Sequence, residues 1–208
     1  MKIMDKLKIR IKLDKKIFLF LLILTIIGIT AGAIFVSILN SSDQTLVVEH
    51  LNNFLSSIEN NKLDCFLALK NNLFSNISYI LIIWLLGISV IGLPIIIFMF
   101  FSKTFILGFS IGAIISSFKA KGILFSIIYT FPGQVLSLLF ILFLVIYAMS
   151  FSFKMIYVIF KKKTLDFKLI MNKYFKILII VLIIVVLMGV YDAYLMPKLV
   201  KAIINFIK

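Results

Sequence analysis

A chain of 208 residues that is 63% hydrophobic, 14% charged and of mean hydropathy +1.21 carries more apolar surface than a soluble domain of this size can bury. Its formal net charge of +14 rests on lysines that flank apolar runs instead of lining an aromatic-studded polar face, so the partner they fit is anionic lipid and not nucleic acid. A single histidine, His50, and a single cysteine, Cys65, exclude a multi-histidine or multi-cysteine zinc site and any internal disulfide.

The runs are long enough to cross a hydrocarbon core of about 30 Å, which takes roughly 20 apolar residues in helical form. The first predicted span is 17–39, behind a basic tail, 1–16, that holds Lys2, Lys6, Lys8, Arg10, Lys12, Lys15 and Lys16. Ala31-Gly32-Ala33 has the look of a signal-peptide cleavage site, but the apolar run continues through Ile34, Phe35, Val36, Ile38 and Leu39. An uncleaved signal anchor is expected.

Residues 40–76 form the one long polar stretch, with Asp43, Glu49, Glu59 and Asp64 against Lys62 and Lys70. The excess of acids predicts an external loop. Val47, Leu51, Phe54, Leu55 and Ile58 recur at helical spacing, and Leu63, Phe66, Leu67, Leu73 and Phe74 do so again. Both sets read as amphipathic helices on the outer interface or packed back on the bundle, with a docking surface as the functional alternative.

A second span, 77–101, returns inward to Lys103, and a short third, 104–118, leads outward to Lys119 and Lys121. The fourth, 122–153, is interrupted by Phe131-Pro132-Gly133, where a kink or short break is expected because proline removes a backbone donor. The fifth, 177–196, carries Asp192 near its end and leads into an amphipathic external tail, 197–208. A re-entrant hairpin would place Lys161, Lys162 and Lys163 outside. With five spans the basic residues divide fifteen inside to seven outside, which favours N-in and C-out. The fold expected is all-α: one polytopic helical bundle of about five transmembrane helices plus an external amphipathic segment.

Small residues mark where helices meet. Gly28 and Gly32 form one GxxxG, Gly108 and Gly112 another that Ser116 extends, and Gly87, Ser89 and Gly92 precede Leu93-Pro94, where a close contact and a kink are expected. Asp192, beside Tyr191 and Tyr194, reads as an interfacial acid. The sequence contains no GxSxG, HExxH or GxxxxGK[ST] pattern, and the polar groups expected at mid-membrane are Ser89, Ser110, Ser126, Thr130 and Gln134.

The run from Trp84 to Pro94 (WLLGISVIGLP), Phe105-Ile106-Leu107-Gly108-Phe109-Ser110-Ile111-Gly112, and Lys121-Gly122-Ile123-Leu124-Phe125-Ser126 leading to Phe131-Pro132-Gly133-Gln134 together resemble the stage II sporulation protein M family. The resemblance covers nearly the whole chain. It implies a noncatalytic, cofactor-free membrane component of endospore engulfment that recruits two peptidoglycan-degrading partners, stage II sporulation proteins D and P, to the septal membrane. Gly87, Gly92, Pro94, Gly108, Gly112, Gly122, Pro132 and Gln134 carry over as structural positions. After Gln134 the sequence Val135-Leu136-Ser137-Leu138 lacks the second proline of many relatives, which loosens the expectation for the fourth span. A permease-like subunit is the alternative, and a polar cavity at mid-membrane is the feature that would support it.

Overall fold

In the computed structural model, which describes residues 15–161 and 167–207, every regular element is helical. The basic tail before Lys15 and the pair Lys162 and Lys163, which carry much of the orientation argument, lie outside the described residues. The helices are α1 (Lys15–Ile38), α2 (Ser41–Glu59), α3 (Cys65–Ile88), α4 (Gly92–Thr130), α5 (Gly133–Lys161) and α6 (Phe167–Val190), then a π-helical turn (Tyr191–Leu195) and α7 (Met196–Ile207). Lys15–Ile38, Cys65–Ile88, Gly92–Thr130, Gly133–Val158 and Phe167–Ile203 are each long and apolar enough to cross a membrane. The chain is a multi-pass membrane protein.

Several helix ends fall away from the positions read in the sequence. The stretch 77–101 is not one helix: the chain breaks at 89–91, α3 begins far earlier at Cys65, and α4 already starts at Gly92. Asp64 sets the early start by accepting hydrogen bonds from the Phe66 and Leu67 amides, each at 3.0 Å. Before it, Asn61 turns the chain with φ of 53°, a conformation its short polar side chain tolerates. The second amphipathic set, Leu63 to Phe74, is therefore the beginning of a membrane helix. Only α2 remains of the expected pair.

Pro94 sits in the first turn of α4, where its missing N–H costs no helical bond, so it opens a helix instead of kinking one. The stretch 104–118 is not a short span but the latter part of a helix that starts at Gly92. At about 1.5 Å per residue, the 39 residues of α4 would outrun the bilayer if they stayed straight. They do not. Lys119, with φ of 51° and ψ of −130°, turns the chain back, so that α4 has a first arm, 92–118, and a second, 120–130. Gly122 lies against the backbone of Ile114 and Ile115, and the Phe118 and Phe125 rings meet edge to face at 5.8 Å. The second arm thus runs antiparallel to the first.

The expected break at Phe131-Pro132-Gly133 separates α4 from α5, dividing the stretch 122–153. Beyond it, α5 is the central helix: 61% of its apolar window is buried inside the protein, against 33% or less in each of the other candidate spans. Ile141, Leu144, Val145, Ile146 and Ala148 of α5 form the principal core with Ile80 and Ile83 of α3, Ile96 and Phe100 of α4, and Tyr174 and Val181 of α6. In α6 the buried residues Tyr174, Ile177, Leu178, Val181, Val185 and Gly189 repeat at helical spacing, giving one face to the bundle and the other to lipid.

The two GxxxG pairs meet in one interface. A β-carbon at Gly108 would fall on the Ile29 backbone, at Gly112 it would lie 2.7 Å from the Ala33 carbonyl oxygen, at Gly32 on Phe105, and at Gly28 on Thr104. Contacts advance in step along both chains, so α1 and the first arm of α4 run parallel, backbone against backbone. A second, smaller core joins α2, α4 and α7 through Leu55, Ile58, Ile114, Phe125, Met196 and Val200. It gathers the amphipathic helices at the end of the bundle opposite the start of α1.

Candidate functional site

Three polar residues on α3 share a face: Asn72, Ser75 and Asn76 stand at i, i+3 and i+4 on an otherwise apolar helix. Lys103 projects toward them from α4. The second arm of α4 stops short there, so that Gln134 and Ser137, in the first turns of α5, reach the same place, and Asp192 comes in from the π-helical turn after α6. Together with Ile106, Leu107 and Leu138 these side chains line a cavity of about 300 Å³ midway along α3.

A chain of hydrogen bonds runs along its wall. The Lys103 ammonium donates to Asn76 Oδ1 at 2.8 Å, Asn76 Nδ2 donates to Asn72 Oδ1 at 2.7 Å and to the Asn72 carbonyl at 3.0 Å, and the Asn72 amide in turn faces the Asp192 carboxylate. Lys103 also lies over the Tyr79 ring, 5.3 Å from its centroid, a contact that favours its charge. Thus a cation and an anion face one cavity, joined through two amides instead of directly. Asp192 Oδ1 is buried without a hydrogen-bond partner.

Local backbone irregularities aim these groups. A π-helical turn inserts an extra residue and re-aims the side chains around it, a device that recurs at functional sites. Here it lets helix and cavity share Asp192, while Ala193 takes the buried position and Tyr194 is 40% exposed. Opposite, a β-carbon on Gly133 would coincide with the Asp192 carboxylate, so only glycine lets the first turn of α5 approach it. The positive end of the α5 dipole then faces the acid.

The structure brings together part of what the sequence pointed to. Of the residues expected to face mid-membrane, Gln134 lines the cavity, whereas Ser110, Ser126 and Thr130 donate to carbonyls of their own helix, from Ile106, Ile123 and Ser126 respectively. Ser89 lies at the α3 end, its carbonyl accepting from Ser152. Asp192 is not an interfacial end residue: the helical path runs on through α7, and the acid turns inward. Lys103, read as an inner-loop residue, is a cavity residue. The missed signal was the spacing of Asn72, Ser75 and Asn76 on a helix whose start Asp64 announces.

Other candidates lie apart from this site. Gly87 faces Tyr174 and Ala148 at the far end of α3, and Gly92 packs under the Leu86 carbonyl at the turn into α4. There the Ser152 hydroxyl donates to the Gly87 carbonyl at 2.7 Å and the Tyr174 hydroxyl to that of Trp84 at 3.0 Å, closing the end of α3. Pro132 is in the break itself. His50 is exposed on α2 beside an apolar groove toward α4, and Cys65 is half-buried at the start of α3.

Compared with known proteins, the chain matches a family model described as Stage II sporulation protein M over residues 21–197. No curated protein and no solved structure matches it.

Proposed function

Since this chain belongs to the stage II sporulation protein M family, we propose that it is a noncatalytic membrane scaffold of endospore formation, which recruits and holds the peptidoglycan-degrading stage II sporulation proteins D and P at the septal membrane during engulfment. The observation that carries the reading is the extent of the family match, which over residues 21–197 takes in three of the five candidate spans whole and most of the other two. Support comes also from α2 and α7, which pack together through Leu55, Ile58, Met196 and Val200 and are tied by the Lys201 ammonium donating to Asn61 Oδ1 at 2.6 Å. Their polar faces point away from the bundle as a platform for an external partner. In this reading the N-terminus is cytoplasmic and the platform external, as the lysine distribution favours.

The test is co-purification from sporulating cells. Tagged protein solubilised in mild detergent is expected to bring down the two partners, and fluorescent fusions to the partners are expected to lose their septal foci when it is deleted. Retention of normal foci in the deletion strain would overturn the scaffold.

One observation favours a second reading. The polar cavity lined by Lys103, Asp192, Asn72, Asn76 and Gln134, beside a broken helix, is the kind of midway site that transport proteins place between discontinuous helices. A permease-like activity would show as solute flux in proteoliposomes that is absent from Asp192→Asn vesicles.

A further inference from the structure

Lys103 and Asp192 pose an energetic question that the scaffold role leaves open. Removing each charge from water costs several kcal/mol, and a buried pair recovers this only with close geometry and satisfied hydrogen bonds. Here the two groups address one cavity without touching. Asp192 Oδ1 is packed against Gly133 without a partner, and Asp192, Ser75 and Ser137 all line the space, the two serines with no side-chain hydrogen bond among the described residues. The wall amides are already oriented: Asn76 receives from Lys103 and gives to Asn72, whose amide faces Asp192. Acceptor capacity is therefore in excess beside the acid and donor capacity beside the lysine.

A volume of about 300 Å³ is at the lower end of small-molecule sites, the scale of a group with a few heavy atoms and opposite charges at its two ends. Access is provided. Ser75 and Ile106 are exposed on the rim, so the cavity opens between α3 and α4 on the side of the bundle.

We propose that this cavity binds a small zwitterionic group, its primary ammonium at Asp192 and its anionic end at Lys103, with Gln134, Ser75 and Ser137 completing the hydrogen bonds. The shared chemistry is that of a free α-amino acid or of the ethanolamine phosphate headgroup of a lipid. The inference stands apart from the scaffold reading: a protein that fails to hold partners could still bind the zwitterion, and the reverse.

The experiment uses the full chain in nanodiscs. In discs of phosphatidylglycerol alone, radiolabelled glycine and D- and L-alanine probe the free source; discs with added phosphatidylethanolamine, read by thermal shift and by native mass spectrometry, probe the lipid source. Saturable binding or a raised unfolding temperature in either arm is expected, weakened at least tenfold by Lys103→Gln and by Asp192→Asn and unchanged by Lys201→Ala. Acetate and methylamine, each carrying one charge, are expected to compete poorly. Ser137→Leu fills the cavity and leaves both charges in place, so it should abolish binding in a protein that stays folded even where the charge variants do not. Absence of binding in both arms by monodisperse wild-type protein would overturn the proposal, as would competition by acetate or methylamine equal to that by glycine.

Discussion

Lys103 on α4 reaches Asn76 on α3 across 2.8 Å, midway along two helices whose other facing residues are mostly apolar. The contact fixes how the two helices are rotated, because it points the α3 stripe of Asn72, Ser75 and Asn76 at the break before α5. It also couples Lys103, through two amides, to Asp192 on the turn after α6. Removing one end of such a chain leaves the other charge buried and uncompensated. We expect Lys103→Gln and Asp192→Asn each to destabilise by about 3 kcal/mol, and the double variant to cost at least about 1 kcal/mol less than the sum. Reversible unfolding in detergent, measured as a double-mutant cycle, checks this; strict additivity would uncouple the two residues.

The parallel interface of α1 with α4 makes a sharper demand on side-chain size. At Gly108 and Gly112 an added β-carbon meets backbone of α1, which cannot step aside, so Gly108→Leu and Gly112→Leu are expected to cost 3 kcal/mol or more, given that overpacking alone is worth about 1–3. Gly189 is the control. There the β-carbon would lie 3.0 Å from the end of the Leu73 side chain and 3.3 Å from Asn72 Oδ1, side-chain ends and not backbone, so Gly189→Ala should shift stability by less than about 1 kcal/mol. Immunoblots of membrane fractions and thermal midpoints should separate the two classes.

Ser152 is expected to behave unlike most serines of the chain. Its hydroxyl donates to the Gly87 carbonyl at 2.7 Å and to the Ser89 carbonyl at 3.0 Å, where α3 ends inside the protein. Ser152→Ala leaves the Gly87 carbonyl without this donor, while the Ser89 carbonyl keeps the Gly92 amide at 3.3 Å, and should cost about 1–3 kcal/mol. Ser102→Ala removes only a bond to the carbonyl of Phe98 in its own helix and should fall within about 0.5 kcal/mol of wild type. Unfolding midpoints of the two variants provide the comparison.

Topology can be tested at the turns. Reporters inserted at Val90 and at Ala120 are expected to read from opposite sides, with Val90 on the side of Lys8 and Lys163 and Ala120 on the side of Asn60 and the C-terminus. A reporter at Val90 that behaves as if embedded in a span would restore the stretch 77–101 as a single helix. On the positive-inside rule the Val90 reporter is expected to read cytoplasmic.

Composition and hydropathy made the membrane class legible, because burying a span's backbone demands a long apolar helix and few other sequences supply one. The glycine pairs were legible as contact points, but their mutual pairing was not, since nothing in a GxxxG says which helix it faces. Hydropathy misplaced α3 for a physical reason. Asn71, Asn72, Ser75 and Asn76 lower the average over its first half, although the cost of Asn72 and Asn76 is met inside the bundle, by Asp192 and Lys103 from helices distant in sequence. The Asp64 cap was a local signal of the true start. Lys103 was misread by the same logic, as a lysine near an apolar run is ordinarily a loop residue; only the tertiary arrangement supplies its partner.

The break between Thr130 and Gly133 has a consequence for the bilayer itself. Two helix ends set among apolar helices present carbonyls and amides that hydrocarbon cannot solvate, and a polar cavity beside them supplies the place for water to do so. Water held there would raise the local dielectric and so favour charge on Lys103 and Asp192 without requiring them to meet. With Ser75 and Ile106 exposed on its rim, the lipid next to α3 and α4 borders the mouth of a polar cavity instead of an unbroken apolar wall.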